Sequence, residues 1–140
     1  MRLFVDTGVI VAAVQPGDAH HAEANMVLAE VLRGRWRSVH TSDYVLTETL
    51  NFLRRKVKRR AAEVAAQRLV FGAPDARPVV TDLPRIHSAR FAAALDLYRR
   101  RFDRGLSFTD CTTLVVMDEM GIRDLATFDG GFAGLANVVP

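Results

Sequence analysis

Cysteine and lysine are scarce in this chain of 140 residues, and each scarcity narrows the chemistry available to it. Cys111 is the only cysteine, which excludes an internal disulfide bond and a cysteine-based zinc site. Lys56 and Lys58 are the only lysines, so arginine supplies nearly all of the positive charge. Arginine suits bidentate contacts with phosphate, although a GC-rich or heat-adapted genome would also account for the preference. The histidines show no spacing typical of metal ligands.

Long apolar runs are absent as well. No stretch approaches the roughly 20 apolar residues of a membrane-spanning helix. Asp6 interrupts the only early apolar run and no small-residue cleavage pattern follows it, so we expect no signal peptide. Together with the single cysteine, this favours a cytoplasmic location. The 19 basic and 16 acidic residues give a net charge of +3, which permits a nucleic-acid partner without requiring one.

Short apolar runs alternate with helical patterns along the chain. The patterns predict strands at residues 2–6, 36–41, 78–81, 123–127 and 137–139, and helices at 9–14, 19–32, 43–58, 60–70, 84–101 and 108–120. Asp18, Ser42 and Ser107 are predicted to cap three of these helices, and Pro84 suits a first helical turn. No repeat or composition break interrupts the alternation. It therefore predicts one α/β domain over residues 1–140, a sandwich built on a mainly parallel sheet.

Four acidic residues stand where apolar runs stop or are interrupted: Asp6, Glu48, Asp110 and Asp129. Acidic side chains next to a core are costly unless they are paired, hydrogen-bonded or bound to a cation. Two of them follow predicted strands, and two lie on helices that would flank the same edge of the sheet. Ligand sites in open α/β sheets lie at that edge. The pattern therefore indicates a site for a hard metal ion, and with it phosphate chemistry.

Each acid also has a local explanation. Asp6 would suit a turn or helix cap, Asp110 forms a capping box with Ser107, and the Asp-Gly pair at Asp129 is an ordinary turn signal. Glu48 is the hardest to explain locally, because it lies at the border of an apolar helical stripe, although a pairing with a following arginine would account for it.

The segments around these acids resemble the PIN-domain family of metal-dependent nucleases, especially the VapC-like toxins of prokaryotic toxin–antitoxin pairs. The resembling segments are Phe4–Thr7, Thr47–Asn51, Ser107–Cys111 and Ala126–Phe132. Each is weak alone, but their order and the α/β pattern between them match over the whole chain. The resemblance implies a three-layer PIN-like sandwich, with a mainly parallel sheet of about five strands and helices on both faces.

The resemblance also implies one catalytic cluster that binds Mg²⁺ or Mn²⁺, formed by Asp6, Glu48, Asp110 and Asp129. Thr7 and Thr109 match the hydroxyl positions beside the first and third acids and are expected to support the cluster. A divalent cation would activate water and stabilise the phosphoryl transition state. Because VapC-like proteins are mostly ribonucleases, the resemblance implies endonucleolytic hydrolysis of RNA. Asp6 and Asp110 are expected to bind the cation directly. Asp129 is the acid least expected to do so.

Arginine-rich segments lie close in sequence to two of the acids, one after Glu48 and one before Asp110. They are hypothesised to bracket the groove and hold RNA phosphates. The predicted contacts are Arg54, Arg55, Arg59 and Arg100. The alternative is that these residues are solvated helix ends, where cations also favour the helix dipole.

The implied partners are an RNA substrate, a cognate antitoxin and a second copy of the chain in a homodimer. A PIN-domain protein without an antitoxin, and a catalytically silent nucleic-acid-binding or interaction module, are the alternatives. A haloacid-dehalogenase-like phosphatase is disfavoured because Gly8 stands where its second aspartate is needed. A response-regulator receiver needs a lysine after a late strand, and no lysine follows Lys58.

Overall fold

A parallel sheet of four strands lies at the centre of the computed structural model, which describes all 140 residues. The strands are β1 (Arg2–Val5), β2 (Ser38–His40), β3 (Asp124–Ala126) and β4 (Asn137–Val139). The helices are α1 (Thr7–Val14), α2 (His21–Leu32), α3 (Asp43–Phe52), α4 (Arg60–Phe71), α5 (Ser88–Arg100) and α6 (Phe108–Met120). No helix is both long and apolar enough to cross a membrane.

The strand order is β2-β1-β3-β4, with every pair parallel. Leu3 and Phe4 of β1 are fully buried, as expected for the apolar strand at the middle of a covered sheet. Helix α1 packs against α2, α3 and α4, whereas α5 packs along α6. A core of 29 buried apolar residues joins these elements. The predicted α/β sandwich with a parallel sheet is confirmed, with four strands where about five were expected.

The strand predicted at residues 78–81 is wrong. This segment lies along the outer edge of β2 but makes only one isolated bridge, between His40 and Asp82. Pro78 has no N–H to donate to a ladder. The Thr81 side chain takes over part of the pairing, since its hydroxyl accepts from Val39 N at 2.9 Å and donates to Val39 O at 3.0 Å. Thr81 N also donates to Val39 O at 2.8 Å, so side-chain and backbone bonds together hold this segment without forming a strand.

The predicted starts of three helices also need correction. Helix α1 begins at Thr7 instead of residue 9, because Asp6 caps it. Helix α5 begins at Ser88 instead of Pro84, because the Asp43 carboxylate accepts from Ile86 N at 2.9 Å and His87 caps the helix through Arg90 N. Helix α2 begins at His21 instead of residue 19.

Asp18 does not cap α2. Its carboxylate accepts from His20 N at 2.8 Å, within the turn that precedes the helix. The helix predicted at 43–58 changes geometry along its length. The α-helix ends at Phe52, and a π-helical turn follows over Leu53–Val57. Lys58 closes that turn in a left-handed conformation, with φ of 57°.

A fifth acidic residue, Asp124, is buried at the start of β3, at the end of the sheet opposite the four acids noted above. Its carboxylate accepts from Trp36 Nε1 at 2.6 Å and from Asn137 Nδ2 at 2.7 Å. Both donors come from other segments of the chain, so these bonds join β3 to the residues just before β2 and to the start of β4. Asp124 therefore has a structural role.

We expect Trp36→Phe to destabilise the fold by about 1.5–3 kcal/mol, because the buried Asp124 carboxylate loses one of its two donors. Urea denaturation would measure the change. Tyr98→Phe is the matched control, since Tyr98 is 46% exposed and its hydroxyl makes no hydrogen bond within the chain. Equal stability of the two variants would contradict the role assigned to Asp124.

Candidate active site

The four acids singled out in the sequence line one cleft of about 460 Å³ at the carboxyl edge of the sheet. Asp6 follows β1, and Asp129 lies three residues beyond β3, the strand beside it. The chain crosses to β2 on one side of β1 and to β3 on the other, which makes this the point where the strand order reverses. Ligands bind at such switch points in open α/β sheets. The structure thus brings all four acids together.

Asp6 is the most buried of the four, with 6% of its surface exposed. It is the N-cap of α1, and its Oδ1 accepts from Thr7 N at 2.8 Å. Its Oδ2 accepts from Thr127 Oγ1 at 2.8 Å. Burial raises the pKa of Asp6 to about 6, against the lowering effect of these bonds, and the charges of Asp110 and Glu48 raise it further. The fold therefore holds this carboxylate in place while penalising its ionised form.

Asp110 occupies the capping box of α6. Its Oδ2 accepts from Ser107 N at 2.9 Å, and Ser107 Oγ accepts from Asp110 N at 3.0 Å. Burial raises the pKa of Asp110, and repulsion by Asp129 and Glu48 adds to it. The local interpretation and the site interpretation of Asp110 therefore both hold, since the cap fixes one oxygen and aims the carboxyl group at the cleft.

Glu48 and Asp129 are the exposed members of the cluster. Glu48 Oε2 accepts from Thr7 Oγ1 at 2.8 Å, so its partner is Thr7 and not a following arginine. Asp129 Oδ1 accepts from Gly131 N at 2.9 Å, which makes it the cap of a short helical turn over Gly130–Phe132. Thr7 thus links the first acid to the second, because its N–H holds Asp6 and its hydroxyl holds Glu48.

Thr127 is a site residue that the sequence analysis missed. Its buried hydroxyl donates to Asp6 Oδ2 and accepts from Asp129 N at 3.0 Å. It therefore fixes the backbone that presents Asp129 and the carboxylate of Asp6 at once. Its position directly after β3, two residues before Asp129, is the signal that could have identified it.

The donor set of the cleft fits a hard divalent cation. Glu48, Asp110 and Asp129 each keep one carboxylate oxygen that accepts no hydrogen bond from the protein. Carboxylate oxygens are the ligands that Mg²⁺ and Mn²⁺ prefer, and their mutual repulsion is relieved by a cation. The side chains are not drawn into a closed ligand set, because no three acidic, histidine or cysteine groups converge closely enough. The cleft has the chemistry of a metal site in an open arrangement.

A second cleft, of about 520 Å³, adjoins the first and shares Glu48 with it. Thr109, the other predicted supporting hydroxyl, lines this second cleft together with Arg55 and Lys56. The residues after α3 thus bring positive charge directly beside the acids.

The other predicted RNA contacts are engaged within the chain. Arg54 forms a bidentate pair with Glu63, with its shortest contact at 2.6 Å. Arg59 Nη1 donates to Gln15 at 2.7 Å, and Arg100 pairs with Asp96 at 2.9 Å in a pocket that none of the four acids lines. Contact of these three arginines with RNA stays a prediction.

Comparison with known proteins gives one consistent result. The PIN domain model matches residues 3–138. The 23S rRNA-specific endonuclease VapC20 of Mycobacterium tuberculosis is 34% identical over 140 residues, covering 99% of this chain and 98% of that protein. A VapC ribonuclease of Archaeoglobus fulgidus is 23% identical over 134 residues, covering 95% of this chain and 80% of that protein.

The same relationship appears in three dimensions. The crystal structure of Mycobacterium tuberculosis VapC20, described as a sarcin–ricin loop cleaving toxin, matches this fold with a TM-score of 0.81. The match has 33% sequence identity and covers 99% of both chains. The family model matches nearly the whole chain, and one relative aligns with it from end to end. The chain belongs to the PIN-domain family, and within it to the VapC-like proteins.

Proposed function

We propose that this protein is a divalent-metal-dependent endoribonuclease, one nuclease domain that acts as the toxin of a VapBC-type toxin–antitoxin pair. The observation that carries the proposal is the single cleft lined by Asp6, Glu48, Asp110 and Asp129, in a chain that is 34% identical to an rRNA endonuclease. Scattered caps and turns would have no reason to meet in one cleft. Metal-dependent phosphodiester hydrolysis requires carboxylates that together bind a metal ion, and the switch point of the sheet is where such a ligand site is expected.

The residues of the cleft divide the work between them. Glu48, Asp110 and Asp129 would hold Mg²⁺ or Mn²⁺ through the oxygens that the protein leaves free, together with Asp6. When bound, the cation supplies an acidified water and neutralises charge on the phosphate. Thr7, Thr127 and Ser107 position the carboxylates, since each donates a hydrogen bond to one of them. No side chain in the cleft needs to act as a covalent nucleophile.

The substrate we propose is a structured RNA. VapC20 is named as a 23S rRNA-specific endonuclease, and its structure is that of a sarcin–ricin loop cleaving toxin. End-to-end identity of 34% makes an RNA containing that loop the first substrate to test. The proposed partners are a cognate antitoxin and a second copy of the chain, and the proposed location is the cytoplasm.

Purified protein is expected to cleave such an RNA in Mg²⁺ or Mn²⁺, and EDTA is expected to stop cleavage. Asp110→Asn should reduce the rate by at least about a hundredfold, because it removes charge from the group that aims at the cleft. Gel analysis of end-labelled RNA measures both effects.

The matched control for that experiment is Asp118→Asn. Asp118 lies on the same helix, is exposed, and does not line the acidic cleft. Full activity of a folded Asp110→Asn protein would refute the assignment of the site. A loss of activity in both variants would point to damage of α6 instead.

The metal-free protein should become more stable when Asp6 is replaced by asparagine. The pKa of Asp6 is about 6 in the folded chain, above its value of 3.8 in model compounds, so the folded state favours the protonated form. That contribution is present below pH 4 and is lost as the pH rises through 6. Asp6→Asn should therefore gain about 1–3 kcal/mol at pH 8 and little at pH 4.

Thermal unfolding in EDTA at both pH values measures this gain, with Asp118→Asn as the control. The carboxamide introduced by Asp6→Asn keeps an oxygen that can accept from Thr7 N, and its NH₂ group can donate to Thr127 Oγ1. A gain that is equal at pH 4 and pH 8 would show that the ionisation of Asp6 is not its source.

Expression of the chain in a bacterial host should arrest growth, and the Asp110→Asn variant should not. Arrest that is relieved by co-expression of the reading frame directly upstream would identify that frame as the antitoxin. RNA cleavage in vitro without growth arrest would favour the alternative, a PIN-domain nuclease that is not a toxin.

A further inference from the structure

The cleft that adjoins the acids has the side chains of a nucleotide-binding site. It is open, about 520 Å³ in volume, and large enough for a small ligand. It shares Glu48 with the acidic cleft, so a ligand that fills it lies beside one of the four acids. Tyr44, Asn51, Phe52, Arg55 and Lys56, which line it, make no hydrogen bond to the four acids.

Its aromatic walls are available for stacking. Phe52 is 44% exposed and lines this cleft, so its ring is accessible to a ligand. Tyr44 is held from behind by Phe108, with ring centroids 6.3 Å apart and planes tilted by 44°. Bases of single-stranded nucleic acids stack on such rings, and the stacking tolerates any base.

Its polar groups are free to bind a ligand. Asn51 is exposed, and its side-chain amide makes no hydrogen bond within the chain, so both its donor and its acceptor are available. Arg55 and Lys56 form no ion pair, in contrast to Arg54, which Glu63 holds in a bidentate pair. A free amide can recognise the edge of a base, and free cations can hold the flanking phosphates.

These residues occupy one stripe of the chain. Tyr44, Glu48, Asn51 and Arg55 follow each other at intervals of three or four residues, which places them on one face of α3 and its extension. The π-helical turn Leu53–Val57 contains both cations, and such turns recur at functional sites. The stripe therefore runs from an aromatic ring, past an acid of the catalytic cluster, to the phosphate-binding cations.

We propose that Tyr44, Asn51, Phe52, Arg55 and Lys56 form a subsite for one unpaired nucleotide of the RNA, next to the bond that is cut. The inference rests on the proposed ribonuclease function and adds to it the groups that recognise the substrate. Phe52 and Tyr44 hold the base by stacking, Asn51 discriminates between bases, and Arg55 and Lys56 bind phosphate. A nucleotide in this subsite must leave its stack, so the subsite selects loops and bulges over paired RNA.

The test measures binding separately from cleavage. All proteins carry Asp110→Asn so that the RNA stays intact, and affinity for a fluorescein-labelled RNA containing the sarcin–ricin loop is measured by anisotropy in Mg²⁺. Phe52→Leu should weaken binding by about tenfold, because it removes the ring and keeps the apolar bulk. The matched control is Phe71→Leu, since Phe71 is 60% exposed on α4 and does not line either cleft. Circular dichroism verifies that both variants are folded.

The salt dependence of binding tests the cations. Arg55→Ala should lower the slope of log affinity against log salt by about 0.7–0.9, the value for one lost phosphate contact. Arg33→Ala is the control, because Arg33 is an exposed arginine at the end of α2, away from both clefts. Equal slopes for the two variants would overturn the role of Arg55.

An abasic nucleotide moved along the RNA loop identifies the base that fills the subsite. At one position its cost should be at least that of Phe52→Leu, and the two losses should not add, since an abasic nucleotide already lacks the base on which Phe52 stacks. Asn51→Ala should then reduce the discrimination among the four bases at that position and no other.

Three results would overturn the subsite: a Phe52→Leu variant that binds as tightly as the control, losses that add at every RNA position, or an altered oligomeric state with unchanged RNA binding. The last result would assign this face to contact between copies of the chain. These failures are distinct from that of the proposed function, which would appear as wild-type protein that leaves the RNA uncut in Mg²⁺ and Mn²⁺.

Discussion

Parallel pairing of β1 with β3 is the constraint on which the site depends. Because both strands run the same way, the residues that follow them leave the sheet at the same edge. Asp6 and Thr127 are those residues, and the 2.8 Å bond between them joins the two strand ends directly. The chain departs to opposite sides from these strands, which opens the cleft between them. A slip of one residue in this register would turn Asp6 and Thr127 toward different faces.

The fold lowers the cost of gathering acids by using three of the four as helix or turn caps. Asp6 caps α1, Asp110 completes the capping box of α6, and Asp129 caps the turn that follows β3. Each cap satisfies one carboxylate oxygen with a backbone N–H and so lowers the cost of burial. Burial still outweighs those bonds at Asp6 and Asp110, whose pKa values are raised. The electrostatic cost that remains destabilises the folded state, and binding of a proton or of a cation relieves it.

Features set by local burial could be predicted from the sequence, whereas features set by contacts between distant segments could not. Patterns of apolar residues located the central strands and α6, since burial decides those elements. The strand expected at 78–81 failed because this segment is hydrogen-bonded to β2 at Val39 alone, through the side chain and the backbone of Thr81. The start of α5 failed because Asp43, at the start of α3, binds Ile86 N. Both failures depend on contacts between distant segments. Thr127 was missed because its partner, Asp6, lies 121 residues away in sequence, and its position after a strand is only a weak signal.

The arginines also show that contacts between separate segments of the chain are hard to predict from sequence. A dense basic run predicts a phosphate-binding surface, but the run does not tell which of its members are already paired. Arg54 and Arg55 are neighbours in sequence, yet one is tied to Glu63 and the other faces the cleft beside Glu48. An arginine that binds phosphate must first release the carboxylate with which it is paired. An ion pair within the chain therefore weakens the binding of that arginine to RNA. Charge available to the substrate is therefore a property of the fold, and Arg55 and Lys56, just after α3, keep theirs unpaired in the cleft that Glu48 also lines.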